Sequence, residues 1–328
     1  MRLSKALPAS VLLVSLLTAA PAFAAPQDPA PVAQDPIRLE DVVVSSRRLE
    51  ETVGEFVTEV AAPVPGRRMA RWHEGVCVGV VNFDPEVAHF IADRVSDVAR
   101  QVGLRAHEPE CHPSILIVGT TNASPFTRTF VDQRPAIFRP GGSGMTRGTA
   151  ALEAFITTDR PVRWWSVALT TDPDTGAAAI RMPAQFNGWR QSADGGDSVT
   201  NYAPNTSSRQ TSRLSDQYRD DLKRMFVIVD VDLLGGATLA QLADYIAMVS
   251  LAQVNQDADT DRYETILNLF QHPEFAPGLT GWDMAYLQGL YESEWYRTNE
   301  TSQVRAVAQA ISREYRDAES QAAEPAVD

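Results

Sequence analysis

Apolar positions along this chain recur with two periods, and the switches between them mark its elements. Val76 to Val81 is a continuous apolar run that predicts a strand. Asp84 and Pro85 then supply a cap and a first-turn residue. Val87, Phe90, Ile91, Val95 and Val98 return at helical spacing until Gly103 stops the helix, and Ser114 to Val118 gives a second buried strand. Val162 to Thr171 and Ala177 to Met182 predict a hairpin turned by Asp172-Pro173-Asp174-Thr175-Gly176. Met225 to Val231 predicts a further strand, Gly235-Gly236 a turn, and Thr238 the cap of a helix with Leu239, Leu242, Ala243, Ile246, Val249 and Leu251 as its apolar positions. Two more helices are expected over Gly281 to Arg297 and Thr301 to Ser320. Pro140 to Gly148 reads as a Gly-rich loop and Asn187 to Ser212 as a long polar one. This order predicts an α+β fold, a mixed sheet with packed helices, in one globular domain over residues 55–320 with room for two lobes at about 70–140 and 150–320. Residues 321–328 should fray.

The first residues follow another logic. Arg2 and Lys5, the apolar stretch Val11 to Ala20 and the small-residue site Ala22-Phe23-Ala24 read as a secretory signal over residues 1–24. That stretch is shorter than the roughly 20 residues that span a bilayer, and no later stretch of such length is free of charge, so no membrane span is expected after signal removal. Ala25 to Pro36 is Pro/Ala/Gln-rich and reads as a linker. With it, residues 25–54 are expected to form a flexible arm. Three consecutive β-branched residues, Val42, Val43 and Val44, predict an extended segment within residues 37–51. That segment is either a first strand of the protein's own sheet or one offered to a partner.

Charge and cysteine usage then remove whole classes of function. Losing Arg2 and Lys5 with the signal leaves 27 basic against 42 acidic residues, a net charge of about −15. A field of that sign repels phosphate backbones, so no nucleic-acid partner is expected. Lys223 is then the single lysine, which leaves Schiff-base and P-loop chemistry almost without a candidate. Cys77 and Cys111 are the two cysteines, and export to an oxidising compartment makes them a disulfide.

Several motifs fall short of the chemistry they suggest. Asp257, Asp259 and Asp261 alternate as a calcium loop begins, but Arg262 stands where the sharp turn needs Gly, and Asn268 where the bidentate Glu belongs; they are weak calcium candidates beside a plain acidic loop. Gly235-Gly236 follows a strand and opens a helix, yet Asp230 and Asp232 before it would repel a phosphate. His107 and His112, with Glu108 and Glu110 between them, offer a loop-borne metal site against the simpler reading of surface histidines. No H-E-x-x-H and no G-x-S-x-G occurs. Trp164, Trp165 and Trp189 could line a sugar platform, although adjacent residues on one strand face opposite ways. No cofactor is implied.

Leu39-Glu-Asp41-Val42-Val43-Val44-Ser-Ser-Arg-Arg-Leu-Glu50 resembles the TonB box of TonB-dependent outer-membrane receptors. The resemblance covers about a dozen residues and implies strand addition to the TonB periplasmic domain through Asp41 and Val42 to Val44. Cys77, Cys111-His112-Pro113, the run Leu242 to Ala252, Thr265 to Phe270 and Leu279-Thr-Gly-Trp-Asp283 resemble an uncharacterised group of exported proteobacterial proteins, which implies no activity. The C-terminal element order is also faintly similar to the zincin metallopeptidase scaffold. On that likeness Asp244 and Met248 stand where two zinc histidines would be, so it implies a scaffold without its metal.

Together these readings lead to two expectations. The first is a non-catalytic binding or accessory protein of the cell envelope, periplasmic in a Gram-negative bacterium, whose arm engages TonB or another envelope protein. The second is an envelope hydrolase of peptide or glycan that uses Asp230, Asp232 and Asp244 near one strand–helix junction.

Overall fold

A strand with apolar residues at every position presents two faces that both need cover. The computed structural model describes residues 39–64, 67–139, 146–173, 175–178, 180–181, 204–205, 218–274, 276–293, 304–313 and 316. Its strands are β1 (Val78–Val81), β2 (Ile115–Thr120), β3 (Val162–Thr171), β4 (Ile180–Arg181), β5 (Pro204–Asn205) and β6 (Arg219–Asp230). The main sheet has the order β1-β2-β6-β3, with β1, β2 and β6 parallel and β3 antiparallel to β6; β4 and β5 pair separately. The helices are α1 (Leu39–Val60), α2 (Pro85–Gln101), α3 (Ala123–Gln133), α4 (Pro135–Phe138), α5 (Thr149–Thr157), α6 (Leu239–Leu251), α7 (Gly281–Glu292) and α8 (304–313). This is the α+β arrangement, and none of these helices is long and apolar enough to cross a membrane.

Both faces of the sheet are buried. Ile115, Ile117, Trp164, Met225, Val227 and Val229 enter the larger core, built with α1, α2, α6, α7 and α8. Val118, Trp165, Val167, Phe226 and Ile228 enter the smaller one, closed by α3, α4 and α5. At roughly 1.5–3 kcal/mol per fully buried large apolar side chain, this double cover explains why β6 holds the centre. Helix α6 is buried on every side from Gln241 to Leu251; Thr238 caps it as expected, in a capping box with Gln241. Asp84 likewise caps α2, its side chain accepting a hydrogen bond from the Glu86 N–H at 3.0 Å.

Several expectations are corrected. The extended segment over residues 37–51 is helical from Leu39, and the arm over 25–54 therefore passes into α1. Apolar residues at 39, 42, 43, 49, 53, 56, 57 and 60 follow a helical period that outweighs the strand preference of three valines. Val53, Phe56, Val57 and Val60 of this helix are fully buried. Gly176 N donates to Asp172 O at 2.8 Å at the expected turn, but among the described residues the hairpin behind it is one bridge between Thr171 and Ala178, because β6 takes the whole length of β3. The two lobes share one sheet, since β2 pairs with β6 across the expected boundary. Trp164 and Trp165 lie in opposite cores, their indole N–H groups donating to Val254 O and Phe138 O, so neither forms a sugar platform; Trp189 lies outside the described residues, as do the signal segment, the linker and the 321–328 tail.

Cys77 and Cys111 form the expected disulfide, closing a loop of sequence separation 34. Replacing both with serine should lower stability by about 3–4 kcal/mol in urea unfolding, the loop-closure value for that length, and adding reductant to the unaltered protein should reproduce the loss.

Asp283 is the most completely buried carboxyl among the described residues. It accepts hydrogen bonds from Thr265 Oγ1, Ile266 N, Thr280 N and Thr280 Oγ1 and so ties α7 to the turn at 265–268. Burial pushes its pKa up from the ordinary 3.8, against the pull of those donors. The folded carboxyl therefore binds its proton more tightly than the unfolded one. The stability this adds is full below 3.8 and is lost as pH rises through the folded value. The stability difference between the unaltered protein and Asp283→Asn should shrink over that rise. Asp283→Ala should cost about 3 kcal/mol below pH 3.8, because it strips a cap and orphans buried donors, and less as pH rises through the folded value.

Candidate functional site

A run of charged residues opens β6, Arg219-Asp220-Asp221-Leu222-Lys223-Arg224, and a strand can bury such a run only where each charge finds a partner. The partners come from the segment 67–74 laid alongside it. Leu222 N donates to Arg71 O at 2.9 Å and Arg71 N to Asp220 O at 3.4 Å, which fixes the register. Arg67 Nε donates to Asp220 Oδ1 at 2.9 Å and Arg68 N to Asp220 Oδ2 at 3.2 Å. Arg219 grips Asp221 with Nε at 2.7 Å and Nη2 at 3.2 Å. Lys223 lies 2.8 Å from Glu74 and 3.5 Å from Asp221, and its hydrogen bond holds the Glu74 carboxyl below its ordinary range.

Arg68, Arg71, Arg219, Asp220 and Asp221 of this lattice line a cavity of about 730 Å³. Helix C-termini line it too: Gln101 to Leu104 closing α2, where Gly103 takes a φ of 79°, and Gln288, Tyr291, Glu292 and Ser293 closing α7. Two lining residues are pinned to the end of α6, the Trp72 indole N–H donating to Ser250 O at 2.9 Å and the Tyr291 hydroxyl to Leu251 O at 2.6 Å. His73 stands at the exposed mouth, its pKa lowered by partial burial and by Arg219.

Arg71 differs from the other cations. Its Nη1 donates to Leu290 O at 2.6 Å, Ser293 O at 2.8 Å and Tyr291 O at 3.3 Å, which caps the negative end of α7. No carboxylate forms an ion pair with it among the described residues, and Nε and Nη2 have no acceptor among them. Burial pushes its pKa down, with Tyr291 and Asp221 opposing. A desolvated guanidinium with one open edge, on the wall of a cavity, is set to bind an external acceptor.

The acids singled out in the sequence do not converge. Asp230 accepts hydrogen bonds from Ala123 N, at the start of α3, at 2.9 Å and from Asp232 N at 3.3 Å. Asp232 itself is exposed. Asp244 is paired with Arg94 and accepts from Leu279 N at 2.9 Å, and it approaches Gly278 so closely that a β-carbon there would meet its Oδ2 at 2.6 Å. Met248 is fully buried in the larger core. Asp257 accepts from Arg160 Nη2 at 2.9 Å, while the backbone of Asp259 donates to Glu59. Among the described residues, no three His, Cys, Asp or Glu side chains meet as a metal site, so the calcium candidates and the His107/His112 pair do not assemble one. Residues 41–44 occupy the first turns of α1 rather than a free strand.

The cleft residues were missed in the sequence because their charges looked solvated. Their one signal is a basic run, Arg67-Arg68 with Arg71, answered far along the chain by Asp220-Asp221. No family model, curated protein or solved structure matches this chain, so the chemistry of the site rests on its own geometry.

Removing one member of a buried pair strands the other. Asp221→Ala should cost about 3 kcal/mol or more in urea unfolding, whereas Arg100→Ala, which breaks the exposed pair with Asp97, should change stability by less than about 1 kcal/mol.

Proposed function

We propose that this chain is a non-catalytic binding protein of the cell envelope, exported to the periplasm, whose cleft takes its ligand through a carboxylate on Arg71. The observation that carries the reading is the Arg71 guanidinium: half-buried, engaged through Nη1 alone, and in ion-pair contact with no carboxylate among the described residues. The open Nε and Nη2 pair matches the two oxygens of a carboxylate. The signal-like start and the Cys77–Cys111 disulfide support the periplasmic setting. The dispersal of Asp230, Asp232 and Asp244 favours binding over hydrolysis, which needs acids that share a site. Engagement of TonB belongs to the same reading, and strand addition through Val42 to Val44 would first require the opening turns of α1 to unwind.

Arg71→Lys keeps a cation at the end of α7 but removes the planar edge. It should retain the fold and weaken carboxylate binding by about tenfold or more in calorimetry. His73→Glu leaves the helix cap untouched, adds a negative charge at the mouth, and should weaken the same ligand with little change in thermal stability. Unchanged affinity in both variants would overturn the reading.

A further inference from the structure

Resting on that reading, the cleft's own charges select among carboxylates. Its surroundings are negative apart from the arginines. Asp220 and Asp221 lie in its wall, and the C-terminal ends of α2 and α7 meet there. Each helix end carries roughly half a negative charge. Of the other arginines that line it, Arg219 is held by Asp221, and Arg68 donates to Tyr218 O and lies 4.0 Å from Asp220, which leaves Arg71 with the open guanidinium edge. A phosphoryl dianion would bring two negative charges to one free cation beside these groups, so a monoanion fits better.

A second feature points the same way. Glu292 lines the cleft, is exposed, and makes no ion pair among the described residues. It directly follows Tyr291, whose carbonyl is 3.3 Å from Arg71 Nη1, so one open carboxylate and one open guanidinium flank the same helix end. The apolar parts of the lining, Met69, Trp72, Val102 and Leu104, leave space between polar ends. The volume of 730 Å³ lies within the range of small-molecule sites.

We infer that the ligand is a zwitterion, a free amino acid or short peptide, whose carboxylate meets Arg71 and whose ammonium meets Glu292 at the C-terminal end of α7. No bond is made or broken.

The test is calorimetry of the full, disulfide-bonded chain with the twenty free amino acids and their alanyl dipeptides, each also as the C-terminal amide and as the N-acetyl form. At least one free form should bind, its amide more than about tenfold more weakly and its acetyl form about tenfold more weakly. Glu292→Gln should lower affinity for the free form to that of the acetyl form and leave the acetyl form unchanged. Acetyl forms binding as tightly as free ones would overturn the zwitterion inference while leaving the carboxylate reading in place. Amides binding as tightly as acids, or no binding by any form, would overturn both.

Discussion

The attachment of residues 67–73 to the start of β6 is the constraint on which the site depends. Backbone bonds set Arg71 against Asp220 and Leu222, and from that position its guanidinium reaches the last carbonyls of α7. One residue thus connects the sheet to the helical layer. Three helix C-termini converge there, and each needs donors for its final carbonyls. Trp72, Tyr291 and Arg71 supply them at α6 and α7, and backbone amides of residues 102–104 supply them at α2. The cleft is the space left where these negative ends meet and are not fully filled.

Such a meeting point has chemical consequences. Open α/β sheets usually bind ligands beyond the carboxyl ends of their strands. Here the carboxyl end of β6 holds Asp230, already engaged by the first amide of α3, while the amino end of β6 borders the cleft. The arginines that enter the cleft are drawn in by negative helix ends and aspartates, so positive charge is almost balanced where it stands. Arg71 is the exception, because backbone carbonyls satisfy one nitrogen without neutralising its charge. A site of this kind presents a defined charge geometry to whatever enters it.

Much of the fold was legible in the sequence. Asp84, Gly103 and Thr238 marked helix ends through local chemistry, and the runs at Ile115 and Met225 marked strands through continuous burial. The cysteine pair followed from the signal-like start. Helix α1 was misread because three adjacent valines speak for a strand over four residues, whereas the helical period becomes visible only over twenty-two. The first half of β6 was missed because Arg219, Asp220 and Asp221 carry no apolar signal; they are buried by pairing with one another and with residues about 150 positions earlier. For the same reason the cleft was illegible. Its residues come from four separated stretches, and only the fold shows that Arg71 ends without a carboxylate.

The most direct test observes Arg71 itself. In ¹H–¹⁵N spectra of the arginine Nε–H groups, assigned with Arg71→Lys, a binding carboxylate should shift the Arg71 signal to saturation while Arg94, closed by Asp244, stays in place. An Arg71 signal that stays fixed while the ligand binds, or that moves no more than Arg94, would contradict the account.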